Sequence, residues 1–388
     1  MHKVLRHVEE IADHLEAHAA EAEDEGRLSG KTAQKLRDTG VIRMLQAKDF
    51  GGFESTPAEF FEAVMAVGAR NAAAGWIAGV VGVHPWQLSQ FPLKLQEELW
   101  GEDPDTWVAS PYAPMGRARR VDGGYVFRGR WPFSSGTDNC DWAILGGLVT
   151  DDDGEIADPR PRHFVLPRED YTIHHDSWEV VGLRGTGSKD VSVDDAFVPE
   201  YRVEVQEKFD RGVQAREVGR DNPLYAIPFG AIFPAAINAG TLAMAEGALA
   251  AFVNYTRARV TVRGTATSTD PAHLSVLGDA AADIAASRTH FLDDWRRIWD
   301  VVERGEFLSD ELRLETRRNE VRAVRRAIDA VDRLFALAGG GSLQRSRPMQ
   351  RFWRDCHAGL VHVCNVADPI YQAYGTNLFG GEPERYLW

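Results

Sequence analysis

The spacing of apolar positions changes twice along the chain. Near the N-terminus, Leu5, Ile11 and Leu15 recur at helical spacing, and Gly30 and Gly40 punctuate the next stretch. The run STPAEFFEAVMAVG reads as a helix start, with Thr56 as N-cap, Pro57 in the first helical position and Glu59 completing a capping box. Phe60, Val64 and Val67 then share one face. After residue 106 the period shortens. TWVAS, GYVFRGRWPF, DWAILGGLV, RHFVLP and KDVSVDDAFVP are short runs of β-branched and aromatic residues, and Asp122, Gly123 and Gly124 mark a hairpin. This zone predicts an antiparallel sheet or small barrel. From about residue 230 the helical period returns. Asp270 and Pro271 start one helix, Ser309 opens another that Gly339, Gly340 and Gly341 end, and Pro348 starts the last. Helices of about 25–30 residues would be rods of about 40 Å, and several joined by short loops predict a bundle.

The pattern therefore predicts an α+β chain in three parts: helices over 1–106, a β domain over 107–204 and a helical bundle over 205–388. The formal net charge of -14 repels phosphate backbones and argues against nucleic-acid binding. The apolar runs read as too short or too broken to span a bilayer, and the first residues lack the apolar centre of a signal peptide. Three cysteines without a CxxC spacing predict a reducing, cytoplasmic setting and no zinc site.

Several motifs point to chemistry they do not carry. GLRGTGSKD, residues 182–190, has neither the P-loop order nor the dinucleotide fingerprint, and no long helix follows it. It reads as a tight turn between strands, with contact to a cofactor as the sharper alternative. His174, His175 and Asp176 have no partner pair and read as solvated loop residues. His357 and His362 are five apart, about 140° around a helix, so they do not form a metal pair. No metal is expected.

Four segments in order, WVASPYAPMG, RWPFSSGTD, VGLRGTGSKD and FWRDCHAGLVH, resemble the oxygenase components of two-component flavin-dependent aromatic monooxygenases. That group is a branch of the acyl-CoA dehydrogenase superfamily, whose order of helices, β domain and helical bundle is the order predicted for this chain. The resemblance spans nearly the whole chain. It departs from the dehydrogenases at QAYGTN, where Tyr374 stands in place of a base glutamate. It implies an acyl-CoA dehydrogenase-like fold, reduced FMN (or FAD) as cofactor, a separate NAD(P)H-dependent flavin reductase, a homotetramer, and hydroxylation of a phenol through a flavin C4a-hydroperoxide. A bulky steroid-derived phenol is the first expectation and a smaller phenol the second.

The resemblance also assigns residues. Ser135 would bond the reactive flavin edge, with Ser134 serving the turn beside it. Trp131 would stack on the isoalloxazine. His362 would deprotonate the phenol while His357 stays structural, and His84 would lie near the substrate. Arg259 would reach the flavin phosphate, with Arg257 and Arg263 as rivals. A phenol of pKa about 10 facing a histidine of about 6.5 leaves a gap of roughly 5 kcal/mol for the site to close. Phe133, Phe229 and Phe233 are candidate pocket walls. The competing readings are an acyl-CoA dehydrogenase or oxidase, a nitrogen- or sulfur-directed monooxygenase, and a flavin carrier without catalysis.

Overall fold

The computed structural model describes residues 2–210, 213–260, 264, 266–385 and 388. Seven helices precede the sheet: α1 (Lys3–Glu10), α2 (Ala12–Ala17), α3 (Ala19–Glu25), α4 (Gly30–Thr39), α5 (Pro57–Gly68), α6 (Ala72–Leu88) and α7 (Leu93–Trp100). Eight strands come next: β1 (Val108–Ala109), β2 (Gly116–Val121), β3 (Gly124–Ser134), β4 (Trp142–Thr150), β5 (Ile156–Pro167), β6 (Thr172–His174), β7 (Lys189–Pro199) and β8 (Val203–Val205). Then come α8 (Val213–Glu217), α9 (Phe229–Arg257), α10 (Pro271–Glu303), α11 (Asp310–Ala338), α12 (Pro348–Leu360) and α13 (Asp368–Leu378).

The caps sit where their residues predict. The Thr56 hydroxyl accepts the Glu59 N–H while the Glu59 carboxylate accepts the Thr56 N–H, closing the capping box of α5. Asp270 caps α10 and Ser309 caps α11. One helix escaped the pattern. Pro348 opens α12, but α13 comes after it and is the last.

The sheet has the order β6-β7-β3-β2-β4-β5-β8, with β1 beside β4. Most pairings are antiparallel, but β4 runs parallel to both β1 and β2. The hairpin at Gly123 joins β2 to β3, and β7 takes the other edge of β3. The chain therefore crosses over and enters beside β2 in the same direction.

The helical core centres on α6, every residue of which is buried. Small residues allow that. A Cβ on Gly75 would lie 2.2 Å from the Cα of Gly68 on α5, so only glycine lets these helices touch. The large residues on α6, Trp76 and His84 among them, consequently face fixed partners. α9 corrects the expectation about apolar runs: by length and composition it could cross a membrane, but it is mostly buried, packed against α5, α6, α11 and α12.

Candidate functional site

The third strand ends in a bulge. Trp131 pairs with Val191 and Ser134 with Lys189, so β3 spends one residue more than β7 over this step. Phe133 absorbs the extra residue at φ +67°, a left-handed conformation that an aromatic residue rarely adopts. The bulge sorts the side chains. Trp131 turns inward, fully buried, with its indole N–H donated to the Gly146 carbonyl at 2.8 Å. Its ring packs where a Cβ on Gly116 or Gly129 would stand. Trp131 therefore has no face for a ligand, which corrects the stacking role expected of it. Phe133 points outward, 65 % exposed, with its ring edge-on to Trp178 at 6.1 Å. Ser134 is buried and its hydroxyl has no hydrogen-bond partner among the described residues.

Ser135 begins a chain of hydroxyls. Its Oγ accepts the indole N–H of Trp76 at 3.2 Å and lies 2.7 Å from Ser188 Oγ. Ser188 Oγ lies 2.7 Å from Thr186 Oγ1, which donates to the Leu183 carbonyl at 2.7 Å. GLRGTGSKD is thus a tight turn into β7 that meets Ser135 through its own hydroxyls. Helix α12 holds this turn in place. Asp355 Oδ1 accepts the Leu183 N–H at 2.6 Å, and Arg354 donates to the Val181 carbonyl at 2.6 Å while pairing with Glu23. Burial pushes the Asp355 carboxyl up to about 6.

His362 reaches the same Trp76 from a separate segment. Helix α12 ends at Leu360, so His357 and His362 do not share a helix and their angular separation is not that of helical positions. His357 faces Asp332 at 3.4 Å and the Trp353 carbonyl at 2.8 Å. His362 instead caps the next turn. Its Nδ1 accepts the Cys364 N–H at 3.2 Å, and its ring stands edge-on to Trp76 at 5.5 Å. Burial lowers its pKa to about 4, so the ring is neutral at pH 7. Because Nδ1 is an acceptor, the neutral ring carries its proton on Nε2. Val361 and Val363 flank it, 77 % and 48 % exposed. Trp76 therefore joins Ser135 to His362. It was not singled out in the sequence, although AAAGWIAG, one indole among small residues, marks a place where a large ring has a fixed neighbour.

His84 lies within α6, which continues through Pro85 to Leu88. It is eight residues from Trp76, about 12 Å along the axis. Its Nδ1 bonds the Val108 carbonyl, which can only accept, so Nε2 is the acceptor for Ser110 Oγ at 2.7 Å. Tyr112 stands edge-on to His84 at 5.6 Å and edge-on to the stacked pair Phe229 and Phe233. His84 thus belongs to an aromatic cluster set apart from the Ser135–His362 rim. Arg259 gives its guanidinium to the Leu337 and Ala338 carbonyls at 3.2 and 2.7 Å, holding the C-terminal end of α11. Arg257 is exposed, and Arg263 lies outside the described residues. The Tyr374 ring lies beneath the Arg318 guanidinium at 4.2 Å. His174 bonds Ser192, and His175 lies 3.4 Å from Asp138. No group of three or more potential metal ligands occurs among the described residues.

Burial also leaves His84 near 4 and His163 near 3. An imidazole whose folded pKa is depressed stabilises the fold above about 6.5 and loses that stabilisation as pH falls toward 4. Comparing His84→Gln with the parent in urea unfolding at pH 7.5 and pH 5 isolates one such group. Between those pH values the stability difference is expected to move by about 2 kcal/mol in the variant's favour. Parallel pH profiles would show that His84 is not held neutral.

The order of helices, sheet and bundle is the acyl-CoA dehydrogenase-like order that the sequence resemblance implied. Residues 235–366 match the family described as acyl-CoA dehydrogenase, C-terminal domain. The pigment production hydroxylase of Rhodococcus erythropolis is 46 % identical over 99 % of this chain and 98 % of its own. The oxygenase component of the FADH2-dependent resorcinol hydroxylase from a Rhizobium strain is 31 % identical over 98 % of this chain and 95 % of its own. The crystal structure of the HsaA monooxygenase from M. tuberculosis superimposes with a TM-score of 0.93 at 36 % identity, covering 100 % of this chain and 99 % of that one. The chain belongs to the family of flavin-dependent monooxygenase oxygenase components.

Proposed function

We propose that this protein hydroxylates a phenol ortho to its hydroxyl group, using reduced flavin supplied by a separate NAD(P)H-dependent reductase. The observation that carries the reading is that Ser135 and His362 both meet Trp76, one through the indole N–H and the other edge-on to its ring. The relative named for resorcinol supports a phenolic substrate. An acyl-CoA dehydrogenase is not favoured, because the relatives are named as monooxygenase components.

The rim fits a flavin. The buried Ser134 hydroxyl without a partner and the open position on Ser135 Oγ suit the polar edge of the ring system. Phe133, Trp178 and Val361 offer apolar surface that otherwise faces water. Bound reduced flavin supplies the electrons that activate dioxygen. Ser135 orients the ring edge, and the buried surroundings keep water out. His362 would present Nε2–H toward the substrate and, as a hydrogen-bond donor, favour binding of the phenolate form whose proton has already passed to solvent. A pKa near 4 makes it a weak base toward a phenol, so the donor role replaces outright proton removal. Ser110, its proton given to His84 and its oxygen also paired with the Tyr112 hydroxyl, keeps one lone pair for a hydroxyl group at the far end of a substrate.

FMN is the first choice of flavin and FAD the second. In a homotetramer, a role for Arg259 in holding the flavin phosphate is one played across a subunit boundary. Three buried thiols, all free, suit a cytoplasmic setting. A bulky steroid-derived phenol remains the first substrate to try.

The test is a single turnover. Anaerobic protein loaded with reduced FMN is mixed with oxygenated buffer and a panel of phenols, and hydroxylated product is counted per flavin oxidised. A ratio approaching one with at least one phenol is expected. Stoichiometric H2O2 and no product across steroid-derived and simple phenols would overturn the proposal.

A further inference from the structure

The hydroxyl chain behind Ser135 has a direction, and one carbonyl sets it. Leu183 O can only accept, so the single proton of Thr186 Oγ1 goes to it. Thr186 then has no proton for Ser188, so at 2.7 Å Ser188 must be the donor to Thr186. Ser188 in turn has none for Ser135, so Ser135 donates to Ser188. The indole N–H of Trp76 fills one lone pair of Ser135 Oγ. One lone pair is left. Ser135, Ser188 and Thr186 are all buried, so water does not readily scramble this order.

We infer that Ser188 and Thr186 are positioning residues that hold Ser135 as a hydrogen-bond acceptor and so make the site select reduced over oxidised flavin. The inference rests on the reading that Ser135 faces flavin N5. In the reduced ring N5 carries a hydrogen and donates; in the oxidised ring N5 offers only a lone pair. Reduced flavin completes the open position on Ser135. Oxidised flavin sets two acceptors against each other. To bond it, Ser135 must turn its proton outward and leave Ser188 Oγ, buried, without its donor. Flavin oxidised during turnover is thereby released in favour of the next reduced molecule from the reductase.

Dissociation constants are measured for FMN and for FMN reduced under anaerobic conditions, by ultrafiltration, with FAD as a second probe. Ser188→Ala removes the acceptor for the Ser135 proton and frees it for oxidised N5. Thr186→Val lets Ser188 reverse toward Ser135, with the same consequence. In both variants the ratio of the oxidised to the reduced dissociation constant is expected to fall about five- to tenfold, mainly through tighter binding of oxidised flavin. Ser188→Thr, which keeps the hydroxyl, is expected to restore the parent ratio. Equal weakening of both forms, or a ratio unchanged in Ser188→Ala and Thr186→Val, would overturn the relay. Ser135→Ala separates the two readings. If it alters neither affinity, Ser135 does not face the flavin; if it weakens reduced flavin while Ser188→Ala leaves the ratio alone, only the relay is wrong.

Discussion

His362→Ala is expected to lower the single-turnover rate of hydroxylation about 10- to 150-fold, while flavin oxidation continues and H2O2 replaces product. The magnitude is that of one hydrogen bond to a charged group, about 1.5–3 kcal/mol. The direction comes from His362 Nδ1, which is occupied by the Cys364 N–H and leaves Nε2–H as the group offered to a substrate. His362→Asn divides the two mechanisms. Asparagine can donate from Nδ2 but cannot accept a phenol proton. If His362 acts as a donor, the Asn variant recovers most of the lost rate; if it acts as a base, Asn and Ala are equally slow. Substrates already ionised at the assay pH sharpen the contrast, because a base is then dispensable and a donor is not. Variants as fast as the parent on a phenol would remove His362 from the mechanism. They would favour a nitrogen- or sulfur-directed reaction, which needs no group on a phenol oxygen.

The fold was legible because its local signals agree. Caps at Thr56, Asp270 and Ser309 stand where the helical period begins, and the hairpin glycines stand between two alternating runs. α13 was missed because DPIYQAYGTNL is short and succeeds a turn that does not break the apolar pattern. The parallel entry of β4 was missed because period-two alternation says which residues share a face and nothing about strand direction. At the site, the segment WPFSSG was recognisable but the orientation of its rings was not. Whether Trp131 or Phe133 faces outward depends on one extra residue of register against β7, and that register exists only once two distant segments pair. The same holds for Ser188 and Trp76. Both are ordinary residues in sequence, and their roles come from contacts to residues 53 and 59 positions away. His362 was placed on a helix that stops two residues short of it.

The turn that carries His362 is held by a buried polar network, and the largest effect on stability is expected there. Arg317 donates to Glu320 at 2.6 Å, to Asn238 Oδ1 at 3.1 Å and to the Cys364 carbonyl at 2.8 Å. Asn365 donates to the Gly359 carbonyl at 2.7 Å and to Thr241 at 3.2 Å, and Asn238 donates to Asn365. The turn at residues 359–365 is thereby tied to α9 and α11. Arg317→Met is expected to destabilise the protein by about 3 kcal/mol, the low end of the range for removing one partner of a buried pair. The low end applies because burial already raises the Glu320 carboxyl to about 7. Without the guanidinium it rises further and takes a proton at neutral pH, which limits the charge left uncompensated. The double variant Arg317→Met, Glu320→Gln is expected to regain much of the melting temperature, since most of the cost lies in leaving Glu320 without its cation, whether it stays ionised or takes a proton. It is not expected to regain coupling of flavin oxidation to hydroxylation, because the bonds to Asn238 and Cys364 are still missing. Calorimetric melting and the product-to-flavin ratio measure the two effects separately. A double variant restored in both would show that the network supports the fold alone. A single variant that melts with the parent would show that the buried pair is energetically idle.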